Sequence, residues 1–198
     1  MSTASVPVMN LAGMRFDRTA ALMDGRITID RVNVCKVPGG KAAIEGLLSG
    51  AFDAAEVPMA RFVSWIAQGI KLRAAPVFTD RLFQHEHIYT RKDTDLTRLE
   101  DLRGRRVICA PSYFATPSFW HRALLKDEAG IEAREIEWHS VAAEAAEMRL
   151  PEDVKVTLSP ASILGIERLL DGTADALMTA RTVMPPRGAG PRIRRVLA

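Results

Sequence analysis

The sequence predicts an α/β protein built on largely parallel sheets. Three observations predict it. Short apolar strands alternate with amphipathic helical stretches, several helical stretches end at a glycine, and one helix–glycine–strand pattern occurs twice in the 198 residues.

Taken in order, Val6–Leu11 and Ile29–Val34 read as strands, with a polar turn and a short helix over Thr19–Asp24 between them. In Ala43–Leu48 the apolar positions Ile44, Leu47 and Leu48 share a helical face, and Gly50 ends the helix. Phe62, Trp65, Ile66 and Ile70 form a second stripe, closed by Gly69 and followed by an expected strand over Leu72–Phe78. Met59 and Trp65 are expected in the core. Val107–Ala110 is a short buried strand. Thr116, as N-cap, and Pro117, in the first turn, then open a helix that stops near Gly130. Ile136–Val141 and Ala174–Met178 read as strands and Ser162–Leu170 as the last helix.

Residues 44–55 read IEGLLSGAFDAA and residues 166–177 read IERLLDGTADAL, identical at seven of twelve positions. A glycine supplies a left-handed helix stop and an aspartate begins the short connection to the strand. Two readings follow: propensity alone favours these residue types at any helix–glycine–strand junction, or the recurrence marks two related lobes. We assign residues 1–90 to the first lobe and 91–183 to the second, with 184–198 a basic tail or a return segment. A crevice outside the carboxyl ends of parallel strands is where α/β proteins hold ligands.

Composition narrows the function. Hydrophobic residues make up 47% of the chain and charged residues 26%, the balance of a globular protein. No stretch has the roughly 18 uninterrupted apolar residues of a membrane span. Cys35 and Cys109 cannot make a disulfide framework, and neither has a cysteine partner at metal-ligand spacing. The net charge of +3 is uneven: Arg181, Arg187, Arg192, Arg194 and Arg195 crowd the last 18 residues, leaving 22 basic against 24 acidic groups elsewhere. Basic and aromatic residues are not interleaved, so no nucleic-acid partner is expected. The N-terminal residues lack the basic and apolar regions of a secretory signal, and the expected location is cytoplasmic.

Several stretches carry a family resemblance. They are Phe16-Asp17-Arg18-Thr19 with Ala21-Leu22-Met23-Asp24-Gly25, Phe52-Asp53-Ala54-Ala55-Glu56, and Pro76-Val77-Phe78-Thr79-Asp80-Arg81-Leu82-Phe83-Gln84-His85. Leu99-Glu100-Asp101-Leu102-Arg103-Gly104-Arg105-Arg106-Val107 follows, then Tyr113, Thr116 and Trp120, then Asp175-Ala176-Leu177 with Arg181. In this order and spacing the chain resembles the 4,5-dihydroxyphthalate decarboxylase family. The resemblance implies a two-lobed fold of the type 2 periplasmic-binding-protein kind, mixed but mostly parallel sheets, and a ligand cleft between lobes. It also implies a further C-terminal segment returning to the first lobe beyond Ala198.

The resemblance implies cofactor-independent loss of one carboxylate from an aromatic dicarboxylate such as 4,5-dihydroxyphthalate, giving protocatechuate. The partner would be a small aromatic carboxylate, and a homo-oligomer stays open. Arg18 and Arg81, each in a loop after an expected strand, carry planar forks that bind a carboxylate through paired hydrogen bonds. Asp17 would orient Arg18 or cap the next helix. Glu56, after the first Asp-Ala strand, is a candidate base, and His85 a candidate proton donor, since histidine changes charge near neutral pH. Tyr113 and Thr116 flank a helix N-terminus, where free N–H groups favour an anion. Arg181 follows the matching strand of the second lobe. His85 and His87 would share a face on a strand, but a catalytic zinc needs a third protein ligand, so no metal is expected. Cys109, at the end of a buried strand, reads as core. An apolar wall around Phe16, Phe83 or Phe114 would face the departing carboxylate. The alternatives are a solute-binding protein for an aromatic or sulfonated anion, and a non-catalytic fragment that folds with a partner.

Overall fold

The structure is a computed structural model, and it describes residues 7–144, 148–160, 165–180, 182–183 and 192–196. The chain divides into two compact units, one up to Phe62 and one from Val63 onward. The boundary falls inside the helix Met59–Ala67, whereas the sequence reading puts the change of lobe near residue 90. Among the described residues no helix is long and apolar enough to cross a membrane.

The first unit is a three-stranded parallel sheet of order β2-β1-β3. Its strands are β1 (Met9–Gly13), β2 (Val32–Lys36) and β3 (Ala54–Ala55). Helix α1 (Ala20–Met23) joins β1 to β2, and α2 (Gly40–Ser49) joins β2 to β3. Ala12, Val37 and Ala43 are buried, with Met14, Phe52 and Ala55 packed on them. Helix α3 (Met59–Ala67) follows. Trp65 is fully buried as expected, but Met59 is exposed.

The second unit carries β4 (Ile88–Arg91), β5 (Arg106–Cys109), β6 (Glu137–Ser140), β7 (Val156–Leu158), β8 (Ala176–Met178) and β9 (Ile193–Arg195). Their order is β7-β6-β5-β8-β4-β9, with β7, β6, β5 and β8 parallel and β4 antiparallel to both β8 and β9. This is the largely parallel α/β arrangement that the residue pattern predicts, made mixed by β4, as the family resemblance implies. Helix α4 (Thr116–Ala129) follows β5, and α5 (Ile166–Leu170) precedes β8. Trp138, Val107, Leu102, Leu125 and Ile131 fill one core cluster, while Ile108, Leu169 and Leu177 fill the other.

The repeated junction folds the same way in both units. Gly50 and Gly172 adopt left-handed φ of 76° and 82°, a conformation that a Cβ would strain. The Phe52 N–H donates to the Gly46 carbonyl at 3.1 Å, and Ala174 N–H, its counterpart, donates to Arg168 at 2.9 Å. Asp53 exchanges two bonds with Asn10 beside β1: its N–H donates to the Asn10 carbonyl (2.9 Å), and its carboxylate accepts the Asn10 N–H (2.7 Å). Asp175 makes the same exchange with Arg106 at the start of β5, at 2.9 and 3.0 Å. Leu11 then faces Ala54, and Val107 faces Ala176. The two units are therefore built on one β-α-β plan, with β1 and β5 as its equivalent central strands.

Three local expectations are corrected. Leu72–Phe78 is not a strand, because Pro76 lacks a donor and no strand among the described residues pairs with the segment. Gln84–His87 is a 3-10 turn, so His85 and His87 do not share the face of a strand. The N-cap of α4 is Ala115, with Thr116 and Pro117 inside the first turn. Of the last helix expected over Ser162–Leu170, residues 166–170 are helical and 162–164 lie outside the described residues.

Candidate functional site

In the first unit the loop after β1 holds Phe16, Asp17 and Arg18. Thr19 ties this loop down: its hydroxyl donates to the Met14 carbonyl at 2.7 Å and accepts the Phe16 N–H at 2.9 Å. Arg15 grips Asp24 with its fork, at 2.9 and 3.0 Å, and closes the far side of α1. The carboxyl ends of β1 and β3 are adjacent because these strands pair directly. That adjacency brings Arg18 to Glu56, with Nη2 3.3 Å from Oε1. The Arg18 guanidinium also lies 4.3 Å from the centre of the Phe16 ring. Its other N–H groups have no hydrogen-bond partner among the described residues. Arg18 thus combines an aromatic platform, a neighbouring carboxylate and unused donors. Asp17 is exposed beside it.

In the second unit the loop after β5 runs Pro111–Ala115 into α4. The Tyr113 and Phe114 N–H groups donate to the two oxygens of the Glu144 carboxylate, at 2.5 and 3.2 Å. The anion expected at this turn is thus supplied by the chain itself. The Tyr113 ring is 3% exposed and packs edge-on against Trp138 and Phe114, and burial raises its phenol pKa. Arg122 stacks on the same ring, 3.8 Å from its centre, and donates to the Tyr113 carbonyl. Thr116 keeps a buried hydroxyl with no hydrogen-bond partner among the described residues.

His85 is exposed on the 3-10 turn, its ring 6.2 Å from that of Phe83. His87 is buried, and burial first, then the Arg195 charge, lowers its pKa. His121 on α4 donates from Nε2 to the Gln84 carbonyl at 2.9 Å and so pins the turn that carries His85. Arg81 is exposed in the irregular segment before the turn, and Arg181 lies outside the described residues. Among the described residues no three His, Cys, Asp or Glu side chains gather as a metal site would require. Cys109 is fully buried, and burial pushes its thiol up to about 12.

The structure therefore joins Arg18 with Glu56 and holds Tyr113 against Glu144. Glu144, Arg122 and His121 carry no sequence signal. Glu144 reaches back from the connection after β6, and the two residues on α4 look like ordinary members of a helix.

No family model matches the chain. Two curated proteins do, each 28% identical over 182 residues, or 87% of this chain. Both are 4,5-dihydroxyphthalate decarboxylases, from Comamonas testosteroni and Pseudomonas putida. The chain resembles the 4,5-dihydroxyphthalate decarboxylase family in sequence. It spans 55% of the length of the first relative and 70% of the second. In fold it is similar to the periplasmic aliphatic sulphonate binding protein SsuA of Escherichia coli, with a TM-score of 0.57 at 15% identity. That likeness covers 97% of this chain and 60% of SsuA. The fold of this chain is accordingly similar to that of a periplasmic binding protein.

Proposed function

We propose that the chain binds a small aromatic dicarboxylate and removes one carboxylate from it without a cofactor, with 4,5-dihydroxyphthalate going to protocatechuate. The observation that carries this reading is Arg18, set over Phe16 and beside Glu56 at adjacent strand ends, in a chain similar to decarboxylases of that substrate. A guanidinium fork matches a planar carboxylate, and an aromatic ring beneath it suits an aromatic ligand. Arg18 is assigned to the carboxylate that stays. A cation on the departing group would stabilise its charge and oppose release of neutral carbon dioxide.

The ring serves as its own electron sink. Each carboxylate is para to a hydroxyl, so removal of the phenolic proton, assigned to Glu56, pushes electron density onto the carbon bearing the departing group. That carbon takes a proton, assigned to His85. The carbon–carbon bond then breaks, its electron pair returns to the ring, and carbon dioxide leaves. A cytoplasmic location belongs to the same proposal.

A second reading is favoured by the fold: binding of a small anion with no chemistry, as the likeness to a sulphonate-binding protein suggests. Incubation with 4,5-dihydroxyphthalate, following carbon dioxide and protocatechuate, separates the two. Turnover that is lost in Glu56→Gln and His85→Asn supports decarboxylation, and binding without turnover supports the second reading. Arg18→Lys keeps the charge but loses the fork. It is expected to weaken binding tenfold to a hundredfold, the equivalent of about 1.5–3 kcal/mol for a charged hydrogen bond. Unchanged affinity in that variant removes Arg18 from the site.

A further inference from the structure

Helix α4 presents Phe119, Arg122, Ala123 and Lys126 along one side, at helical spacing. Its other side carries the buried Leu124, Leu125 and His121, the last of which holds the turn bearing His85. Where the outer side meets Glu132 and Ala133, a groove of about 200 Å³ lies open. Two alanines make the space, since neither Ala123 nor Ala133 extends beyond Cβ. Phe119 and the Lys126–Glu132 ion pair, at 3.2 Å, complete the walls. These walls are fixed. Trp138 donates from Nε1 to the Ala133 carbonyl at 2.7 Å, and Arg122 is stacked on the Tyr113 ring and bonded to the Tyr113 carbonyl. A pre-formed groove needs little reordering to receive a ligand.

Charge says what kind of ligand. Arg122 is half-buried, and burial holds its pKa below the ordinary arginine value. A cation withdrawn from water is normally paired. Arg122 has no ion pair among the described residues, and the nearby Glu144 charge is engaged by the Tyr113 and Phe114 N–H groups. Apart from the bond to the Tyr113 carbonyl, the Arg122 N–H groups have no partner among the described residues, and their nitrogens are open to solvent. Among the charged walls of the groove, Arg122 and Lys126 are positive and Glu132 is negative, which leaves one positive charge. The other walls, Phe119, Ala123 and Ala133, are apolar.

We propose that this groove binds a small organic monocarboxylate, with its carboxylate on Arg122 and Lys126 and its apolar body against Phe119, Ala123 and Ala133. A groove of about 200 Å³ is smaller than the pockets that take drug-sized ligands, so the acid is a small one. Its carboxylate competes with Glu132 for Lys126. The proposal does not rest on decarboxylation, because no residue of the groove takes part in that chemistry.

Titration of hexanoate into isotope-labelled protein, followed by NMR at fixed pH and ionic strength, tests it. Saturable shifts are expected at the amides of Ala123, Lys126 and Ala133. Hexanol, with the same chain and no charge, is expected to move them far less. Ala123→Leu fills the groove without touching a charge, suits a helix, and is expected to abolish binding. Lys126→Gln is expected to weaken binding and Glu132→Gln to tighten it, each by about fivefold, the worth of an exposed charge pair. Arg122→Gln is expected to weaken it at least as much as Lys126→Gln. Thermal melts show that each variant folds, and Ala123→Leu keeps the test decisive if Arg122→Gln does not. A parent with no saturable shift at these three residues overturns the proposal. So does hexanol binding as tightly as hexanoate, Ala123→Leu binding like the parent, or an affinity that moves the same way in Lys126→Gln and Glu132→Gln.

Discussion

His121 is fully buried, donates from Nε2 to the Gln84 carbonyl, and leaves Nδ1 without a partner among the described residues. Burial is the main reason its pKa falls to about 4, and the nearby charges of His87 and Arg122 push the same way. The unfolded chain takes up this proton near pH 6.5, but the folded chain does not until about 4. Stability is therefore complete above pH 6.5 and declines as pH falls through that window, by up to about 3 kcal/mol. Asp175 acts lower down. Its burial raises its pKa, but the Arg106 bonds and charge outweigh burial and hold it below the ordinary value, so its contribution is lost only below about pH 4. Urea midpoints measured from pH 7 to 4 should fall in the parent and fall much less in His121→Gln. An identical slope in that variant would exclude His121 as the source. Cys109 gives a second test at this scale. With its thiol pushed up to about 12 by burial, it should resist a thiol reagent in the folded protein. Cys35, which is partly exposed, should titrate alone, and the second thiol should appear only on unfolding.

At the scale of elements, the repeated junction is where local sequence and structure agree most closely. A helix stop and a strand start are short-range events, so Gly50, Asp53, Gly172 and Asp175 could be read from the chain alone. The strand expected over Leu72–Phe78 shows the opposite case. Its apolar residues suit a strand, but a strand exists only when a neighbour supplies hydrogen bonds, and that neighbour cannot be read locally. The junctions also differ in strength. Asp175 accepts from the Arg106 backbone and from Nε and Nη2 of its side chain, at 3.0, 3.1 and 2.9 Å. Among the described residues, the Asp53 carboxylate accepts only the Asn10 N–H. Asp175→Ala should therefore cost about 1–2 kcal/mol, allowing for the partly exposed guanidinium, and Asp53→Ala less. Gly50→Ala and Gly172→Ala should each cost about 1 kcal/mol through the left-handed backbone. Urea denaturation of the four variants measures the order. Equal losses at Asp53 and Asp175 would mean that the Arg106 fork adds nothing.

Across the whole molecule, the candidate site was legible as residue types but not as an arrangement. Arg18 and Glu56 each stand out in the sequence, yet their meeting depends on β1 and β3 being neighbours although some forty residues separate them. Glu144 was invisible because it acts across the fold, from the connection after β6 onto the turn after β5. The ligand question belongs to this scale too, because a ligand bound only by the folded chain stabilises all of it. At a hundredfold excess over its dissociation constant, a ligand adds about 2.7 kcal/mol. For a chain of this size that raises the melting temperature by roughly 5–10 °C. Phthalate supplies the paired carboxylates without the hydroxyls, so no ring electron push can carry it through decarboxylation, and it reports binding alone. It should raise the melting temperature of the parent and much less that of Arg18→Lys, whereas benzoate, with one carboxylate, should act weakly on both. An alkanesulfonate that stabilises the parent more than phthalate does would favour anion binding without chemistry over the dicarboxylate reading. A melting temperature unmoved by phthalate, benzoate or sulfonate would leave the Arg18–Glu56 pair as an ordinary surface ion pair, worth at most about 1 kcal/mol to the fold.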